Sequence, residues 1–327
     1  MVRDASPLTP DPYLSVVIPC HNRPDLLRAC LATVIRHAPA GTDIVVVDDA
    51  SPDGAATAVA REYPGVRSLR PPGRGFCAAA NAGVRAARGT VVELLNDDTE
   101  VTDGWAAAAL SPFDDPAVAA VAPLVLRWPG TDGRGPRIDS AGDRYYVGGV
   151  AGKRGHGQTL APQYLHPRRV FGASASSAFY RRDALLRVGG FPEAFGAYFE
   201  DVDVAFRLHR AGYQVVYEPA ARVFHRGSAS HGRADRRLLE QQSRNEERVF
   251  WRNLPGPVLA RALPRHLAVL AGKAWLRWRD GGLAPFLWGR LRLLGEVRDL
   301  RRHRGRLNQT GPAADVAAWG VEARFWR

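Results

Sequence analysis

Residues 90–101 read Thr90-Val91-Val92-Glu93-Leu94-Leu95-Asn96-Asp97-Asp98-Thr99-Glu100-Val101, or TVVELLNDDTEV. A short aliphatic run with the length of a buried strand ends in two adjacent carboxylates. A turn needs only one Asp or Asn, so chain reversal leaves the second acid unexplained. Adjacent like charges invite a cation. A hard divalent ion prefers carboxylate oxygens, and Mg²⁺ or Mn²⁺ commonly shares them with phosphates. Taken alone, the turn and the metal site are equally good readings of this stretch.

The pattern recurs upstream. Leu14–Pro19 (LSVVIP) is a short apolar strand, and Pro24–His37 has apolar residues at helical spacing behind a proline suited to a first turn. Asp43–Val47 (DIVVV) is a second buried strand that runs into Asp48-Asp49. A helix to Arg61, a strand at Val66–Leu69, an Ala-rich helix at Phe76–Arg88, a helix at Trp105–Leu110 and a strand at Val118–Leu126 follow. This alternation predicts an α/β domain whose mostly parallel sheet carries helices on both faces. Such sheets bind ligands beyond the carboxyl ends of their strands. Asp48-Asp49 and Asn96-Asp97-Asp98 therefore share one rim. By itself Asp48-Asp49 is equally a turn or a helix cap.

Gly73-Arg74-Gly75-Phe76-Cys77-Ala78 matches G-x-G-x-x-A, but it follows the third strand instead of opening the first βα unit, so it reads as a tight turn rather than a dinucleotide site. Arg127–Arg169 is rich in Gly and Pro and reads as long loops with short strands. A small-residue loop then leads into a strand by Arg181, and a short helix follows at Asp183–Val188. Glu200-Asp201-x-Asp203 opens a helix that reaches Arg210. Acids there complement the helix dipole, yet three in four residues exceed that need. Crowding raises the pKa of one of them, which suits a general base. Gln214–Tyr217 and Arg222–His225 read as two strands, the second delivering His225 to the same rim as a metal or phosphate contact. Helical patterns return at Leu267–Trp278 and Leu283–Leu300.

The chain has 327 residues, enough for one large domain and an appendage. Cys20, Cys30 and Cys77 have neither an even count nor metal-like spacing, so a reducing compartment is expected. The acidic, proline-bearing N-terminus reads as no targeting peptide, and no apolar run is long enough to span a bilayer. Net charge is +12, and residues 256–327 hold 14 Lys or Arg against 5 Asp or Glu, together with five of the eight tryptophans. A basic tail of this kind suits a polyanionic partner. It either lies on an anionic membrane surface or packs on the first domain with a solvated basic face.

In order, SVVIPCHNRPDLLRACL, DIVVVDDASPDG, GRGFCAAANAGVRAARGTVVELLNDDTEV, GASASSAFYRRDALLRVGGFPEAFGAYFEDVDVAFRLHRAGY and VFHRGSAS resemble the glycosyltransferase family 2 enzymes of the GT-A fold, especially a bacterial rhamnosyltransferase-like branch. Arg244-Asn245 adds to the likeness, which covers Ser15 to Leu254. The resemblance implies a Rossmann-like GT-A catalytic domain over residues 1–254 and a basic helical extension over 255–327. It implies a nucleotide-sugar site at Pro19, His21, Asn22, Asp49, Ser51, Asn81, Asn96 and Asp97. Asp98 and His225 would hold Mn²⁺ or Mg²⁺, with Asn96 standing where the family's D-x-D element has its first Asp. Asp201 would be the catalytic base, supported by Glu200 and Asp203.

The implied activity is metal-dependent, inverting transfer of a sugar, rhamnose for preference, from a dTDP- or UDP-sugar to an acceptor hydroxyl. The acceptor would be a cell-surface or lipid-linked glycan, with a small metabolite as the alternative. The implied location is the cytoplasm, with the tail able to rest on the inner face of a bacterial plasma membrane. A nucleic-acid-binding protein using the basic tail is the rival reading, but nothing in the first 255 residues resembles a nucleic-acid module, so no nucleic acid is expected as partner.

Overall fold

The computed structural model describes residues 13–128, 135–227, 235–309 and 315–325. The Ser228-Ala229-Ser230 end of the VFHRGSAS stretch lies outside the described residues. The first half contains β1 (Leu14–Cys20), α1 (Pro24–His37), β2 (Asp43–Asp48), α2 (Ala55–Arg61), β3 (Val66–Leu69), α3 (Phe76–Ala86), β4 (Val91–Leu95), β5 (Thr99–Val101), α4 (Trp105–Leu110) and β6 (Val118–Arg127). Next come β7 (Ile138–Ser140), β8 (Asp143–Tyr146), β9 (Val150–Lys153), β10 (Arg168–Arg169), β11 (Ser177–Arg181), α5 (Arg182–Arg187), α6 (Glu200–Arg210) and β12 (Gln214–His225). The chain continues through α7 (Arg236–Asn253), α8 (Gly256–Arg279), α9 (Leu283–Arg292), α10 (Val297–Gln309) and β13 (Val321–Glu322).

One ten-stranded sheet runs in the order β10-β12-β6-β11-β4-β1-β2-β3, with β5 added to β12 and β7 to β6. β4, β1, β2 and β3 are parallel neighbours. β11 runs antiparallel between β4 and β6, and β6 is parallel to β12. The six long strands other than β11 thus share one direction. The last residues of β1, β2, β4 and β12 come out on one rim, where β11 begins.

Successive strand residues point to opposite faces, and β1 shows the result. Val16 and Ile18 enter one core with α1, α2 and α4, while Val17 enters the other with α3 and α6. The fully buried strands explain the continuous apolar runs in the sequence. Gly83 lets α3 sit directly on the sheet, because a Cβ there would stand 2.2 Å from Val17 Cγ1 and 2.9 Å from Val47 Cγ2. Glu93 is buried in β4, where Ser177 Oγ (2.9 Å) and Trp105 Nε1 (3.1 Å) donate to it, and burial pushes its pKa up to about 8.

Two expectations need correction, and one helix is unexpected. Gln214–Tyr217 and Arg222–His225 are one strand, β12, whose register against β6 shifts between Glu218 and Arg222, a bulge that accommodates Pro219. The segment Leu283–Leu300 is not one helix but α9, a 3₁₀ turn at Leu293–Glu296 and the start of α10. α7 is a long helix that apolar periodicity does not announce. Its buried face includes Glu246, Glu247 and Arg248, each neutralised by an ion pair.

After α7 the chain returns to the body. α9 and α10 pack on α7, α8 packs on α9, and β13 joins β8 beside β9 in a second, three-stranded sheet. Among the described residues, no helix is long and apolar enough to cross a membrane. Gly83→Val should lower the unfolding free energy by about 3 kcal/mol, the upper end of overpacking costs, measured by denaturant titration.

Candidate active site

The rim assembles from four strand ends. Beyond β1, His21 Nδ1 donates to Asp49 O at 2.6 Å and the Asn22 amide donates to Ser51 Oγ at 2.9 Å. Asn22 and Ala50 both hold positive φ, at 52° and 53°, so each strand end turns sharply out of the sheet. Asp48 faces inward, where its carboxylate accepts from the Ser51 amide (2.8 Å) and Thr57 Oγ1 (2.9 Å). Burial opposes its charge, yet these bonds hold its pKa below the ordinary value. Asp49 is the member of the pair left at the rim. Its Oδ1 accepts from the Gly75 amide at 2.7 Å, so the glycine turn before α3 supports the site instead of binding a dinucleotide. Pro19 is buried in β1 opposite Val47.

The acids beyond β4 face cations supplied by the chain. Arg23 Nη2 lies 2.7 Å from Asp97 Oδ1, an ion-pair contact not aligned as a hydrogen bond, and Arg23 Nη1 lies 3.5 Å from Asp98 Oδ2. Burial pushes Asp97 up to about 6 against the pull of Arg23. His225 Nε2 stands 3.2 Å from Asp98 Oδ1, and its Nδ1 donates to Asp139 Oδ2 at 3.1 Å. Burial would lower the imidazole's pKa, but the hydrogen bond to Asp139 and the neighbouring Asp98 carboxylate outweigh it and hold it at about 9. Asp139 in turn takes Lys153 Nζ at 2.8 Å and His156 Nδ1 at 3.4 Å.

The base candidates sit across a short loop from these acids. The Asn96 amide donates to Ser176 O at 3.0 Å, and the Ala175 amide donates to Asp201 Oδ2, also at 3.0 Å. One turn of small residues therefore bridges Asn96-Asp97-Asp98 to Asp201. Val202 N–H donates to Asp201 Oδ1 at 2.8 Å, so the carboxylate is clamped at the start of α6. Burial raises its pKa against these two amides. Glu200 and Asp143 are buried beside it, and burial together with the Asp201 charge raises both well above the carboxylate range. Burial thus disfavours the charged forms of Glu200 and Asp143 most, and Asp201 is the partly exposed member of the trio.

Two of the expected residues lie elsewhere. Asp203 is turned away from the rim, fully buried between Arg207 Nε (2.8 Å), Arg252 Nε (3.1 Å) and Asn253 Nδ2 (2.8 Å). Burial opposes its charge, but Arg252 and Arg207 prevail and hold it at about 2. It fastens α6 to α7. Asn81 spends its amide on Phe191 O and N and on Glu193 Oε1, tying α3 to the turn before α6. Sequence reasoning missed Arg23, Asp139 and Asp143. Arg23 stands directly after the His21-Asn22 pair and could have been suspected; the other two lie in the weakly periodic region. A cavity of about 510 Å³ opens on the far side of Asp143, lined by Arg144, Arg154, Arg168 and Arg169.

Among the described residues, no group of three or more His, Cys, Asp or Glu converges to hold a metal ion. Asp98 Oδ1 is nonetheless buried without a hydrogen bond, 3.2 Å from His225 Nε2. Two protein donors are what Mg²⁺ or Mn²⁺ takes when substrate phosphates and water complete its shell. Asp98 fits that arrangement, and His225 Nε2 would join it on giving up its proton.

Residues 15–189 match the family model described as Glycosyl transferase family 2. The pre-mycofactocin glycosyltransferase of Mycobacterium tuberculosis is 33% identical over 65% of this chain and 42% of its own length. The N-acetylglucosaminyl-diphospho-decaprenol L-rhamnosyltransferase of the same species is 30% identical over 58% of this chain and 68% of its own. Relatives are frequently longer, and the chain spans 26% of one and 18% of another. Among solved structures, the mannosyltransferase PcManGT from Pyrobaculum calidifontis, in complex with GDP-Man and Mn²⁺, superposes with a TM-score of 0.53 at 20% identity, covering 95% of this chain and 88% of the mannosyltransferase. That likeness establishes a shared GT-A-like mixed α/β fold.

Because Asp203 is held at about 2, its contribution to stability is full above the ordinary carboxyl pKa near 4 and is lost as pH falls toward about 2. Asp203→Asn should flatten the acid limb of the stability–pH curve in that window, read by thermal unfolding. Asp203→Ala should cost about 3 kcal/mol at neutral pH by stranding buried arginines.

Proposed function

The chain belongs to glycosyl transferase family 2, and from that premise we propose that it moves a sugar from a nucleoside-diphosphate donor to an acceptor hydroxyl with inversion at the anomeric carbon. The observation that carries this reading is the loop at Ser174–Ser177. It hydrogen-bonds the Asn96-Asp97-Asp98 turn on one side and Asp201 on the other, so a diphosphate-binding element and a base share one small opening.

The nucleoside lies against Asp49, His21, Asn22 and Ser51. The diphosphate lies toward Arg23, Asp98 and His225, and Arg23 meets it with a guanidinium suited to phosphate. Asp98 and His225 would hold a divalent ion, which supplies positive charge that stabilises the departing diphosphate. Asp201 accepts the acceptor's proton as its oxygen attacks the anomeric carbon. The bond from that carbon to the diphosphate oxygen breaks, and the nucleoside diphosphate leaves with the electron pair. Two amides aim the Asp201 carboxylate, and burial disfavours the charged forms of Glu200 and Asp143 beside it. One base and one in-line displacement give inversion without a covalent sugar–enzyme species. The rhamnosyltransferase relative supports rhamnose as the sugar and a polyprenyl-diphosphate-linked acceptor, and a deoxythymidine-diphosphate carrier is the donor expected with it.

Thermal-shift measurements with dTDP-, UDP- and GDP-sugars, with and without Mn²⁺, should single out the donor by its mass-action stabilisation. With that donor, Asp201→Asn should lower kcat by about 10²–10⁴, the usual worth of a positioned base, and leave the donor's thermal shift in place. Donor-dependent turnover that survives both Asp98→Ala and Asp201→Asn would overturn the proposal. The wild-type rate should rise with pH through a single pKa above the ordinary carboxylate range, since the base must be ionised and burial raises it.

A further inference from the structure

α8 and α9 each have two dissimilar sides. On α8, Ala262 and His266 are buried, and Lys273 pairs with Glu246 of α7. The opposite side of the helix carries Leu267, Trp275 and Trp278, which are 57%, 54% and 66% exposed. On α9, Pro285, Phe286 and Gly289 are buried, Gly289 close enough to α7 that a Cβ would meet Glu240 O at 2.3 Å. Trp288 and Leu291 point the other way and remain half exposed, and Leu294 follows them at 70%. Both helices thus anchor inward through one side and present large apolar side chains outward on the other.

Exposed apolar side chains in such density are unusual on a soluble surface. Here cations flank them. Arg261, Arg265 and Arg279 border the outward stripe of α8 and are exposed, and Arg292 stands beside Trp288. Arg279 lies over the Trp275 ring at 4.9 Å and Arg292 over the Trp288 ring at 5.9 Å. Residues 256–327 carry most of the chain's net charge of +12. Tryptophan with an apolar body and polar edge, leucine beside it and arginine at the border match the acyl boundary, headgroup zone and phosphate plane of a bilayer. A second copy of this chain would bring the same arginines against themselves. A nucleic acid would leave the leucines without a partner.

We propose that the outward faces of α8 and α9 dock on an anionic lipid bilayer, the helices lying in its interface and holding the catalytic domain at the membrane surface. No described helix is apolar enough to span it, so attachment is peripheral, reversible and driven jointly by apolar burial and by attraction of arginine to anionic headgroups. The inference rests on the two helices alone and holds whichever donor and acceptor the rim accepts.

Flotation of the full chain with vesicles tests this. Wild type should float with phosphatidylcholine–phosphatidylglycerol vesicles, stay at the bottom with phosphatidylcholine alone, and be partly released by high salt. Its tryptophan emission should shift to the blue on binding. The variant Trp275→Ser/Trp278→Ser/Trp288→Ser should lose flotation while keeping its thermal midpoint, because none of the three rings is buried. The proposal is overturned if wild type fails to float with anionic vesicles, or if the triple variant floats as well as wild type. Self-association that the triple variant abolishes, with no flotation, would reassign the face to a second copy. Tight, salt-sensitive binding of duplex DNA or RNA without flotation would likewise overturn it.

Discussion

The placement of β11 between β4 and β6 is the constraint from which the site follows. It is the one long strand that opposes the others, and its register pairs Ser177 with Leu95. The chain therefore enters β11 at the rim where β4 leaves it, and the turn before Ser177 has to cross the mouth of the Asn96-Asp97-Asp98 turn. Small residues are needed because two backbones and an acid meet there. Ser176 O takes the Asn96 amide, Ala175 N–H takes Asp201, and Gly172 lies so close to α6 that a Cβ would stand 3.1 Å from Ala205 Cβ. A parallel strand at this position would have brought its amino end to the opposite edge and left Asp201 without its partner.

Charge is distributed around that constraint by solvation. The buried acids divide into those with a cation and those without. Asp203 has arginines on two sides and stays ionised, so it serves as a rivet between α6 and α7. Glu200 and Asp143 make no salt bridge among the described residues, and burial disfavours their charged forms. Asp201 lies between these extremes, held by amides and partly open to water, which suits a group that must take up a proton and release it. At the other end of the loop, Arg23 and His225 balance Asp97 and Asp98, and Asp139 orients the imidazole from behind as an outer partner does for a metal-binding histidine.

The C-terminal helices obey a different rule. Their inner faces are joined to α7 by ion pairs, Glu246 with Lys273 and Arg290 and Glu247 with His266, and by close backbone approach at Gly289. Packing on α7 thus takes up small and polar residues together with Phe286, and leaves most of the tryptophans and leucines of α8 and α9 outside. The two sequence readings of the tail, packing inward and facing a membrane, concern opposite sides of the same helices and do not exclude one another.

Residue pattern alone determined the alternation of strands and helices from Leu14 to Leu126, the common rim for Asp49 and Asp98, and the helix that begins at Glu200. These are legible because a buried parallel strand must be continuously apolar and a ligand rim must break that run with polar residues. Local sequence could not give the direction of β11, since antiparallel and parallel neighbours draw on the same side chains, nor the continuity of β12 through its bulge. α7 escaped because charged and amide residues interrupt the apolar positions of its buried side between Leu239 and Val249. Asp203 looked catalytic from its place beside Asp201. Only the packing of α7 decided that it turns inward, because a helix carries residues two apart to different sides, and the arginines that claim Asp203 are distant in the chain. The same distance hid Asp139 and Asp143, whose roles exist only once β7 and β8 are folded against His225 and Asp201.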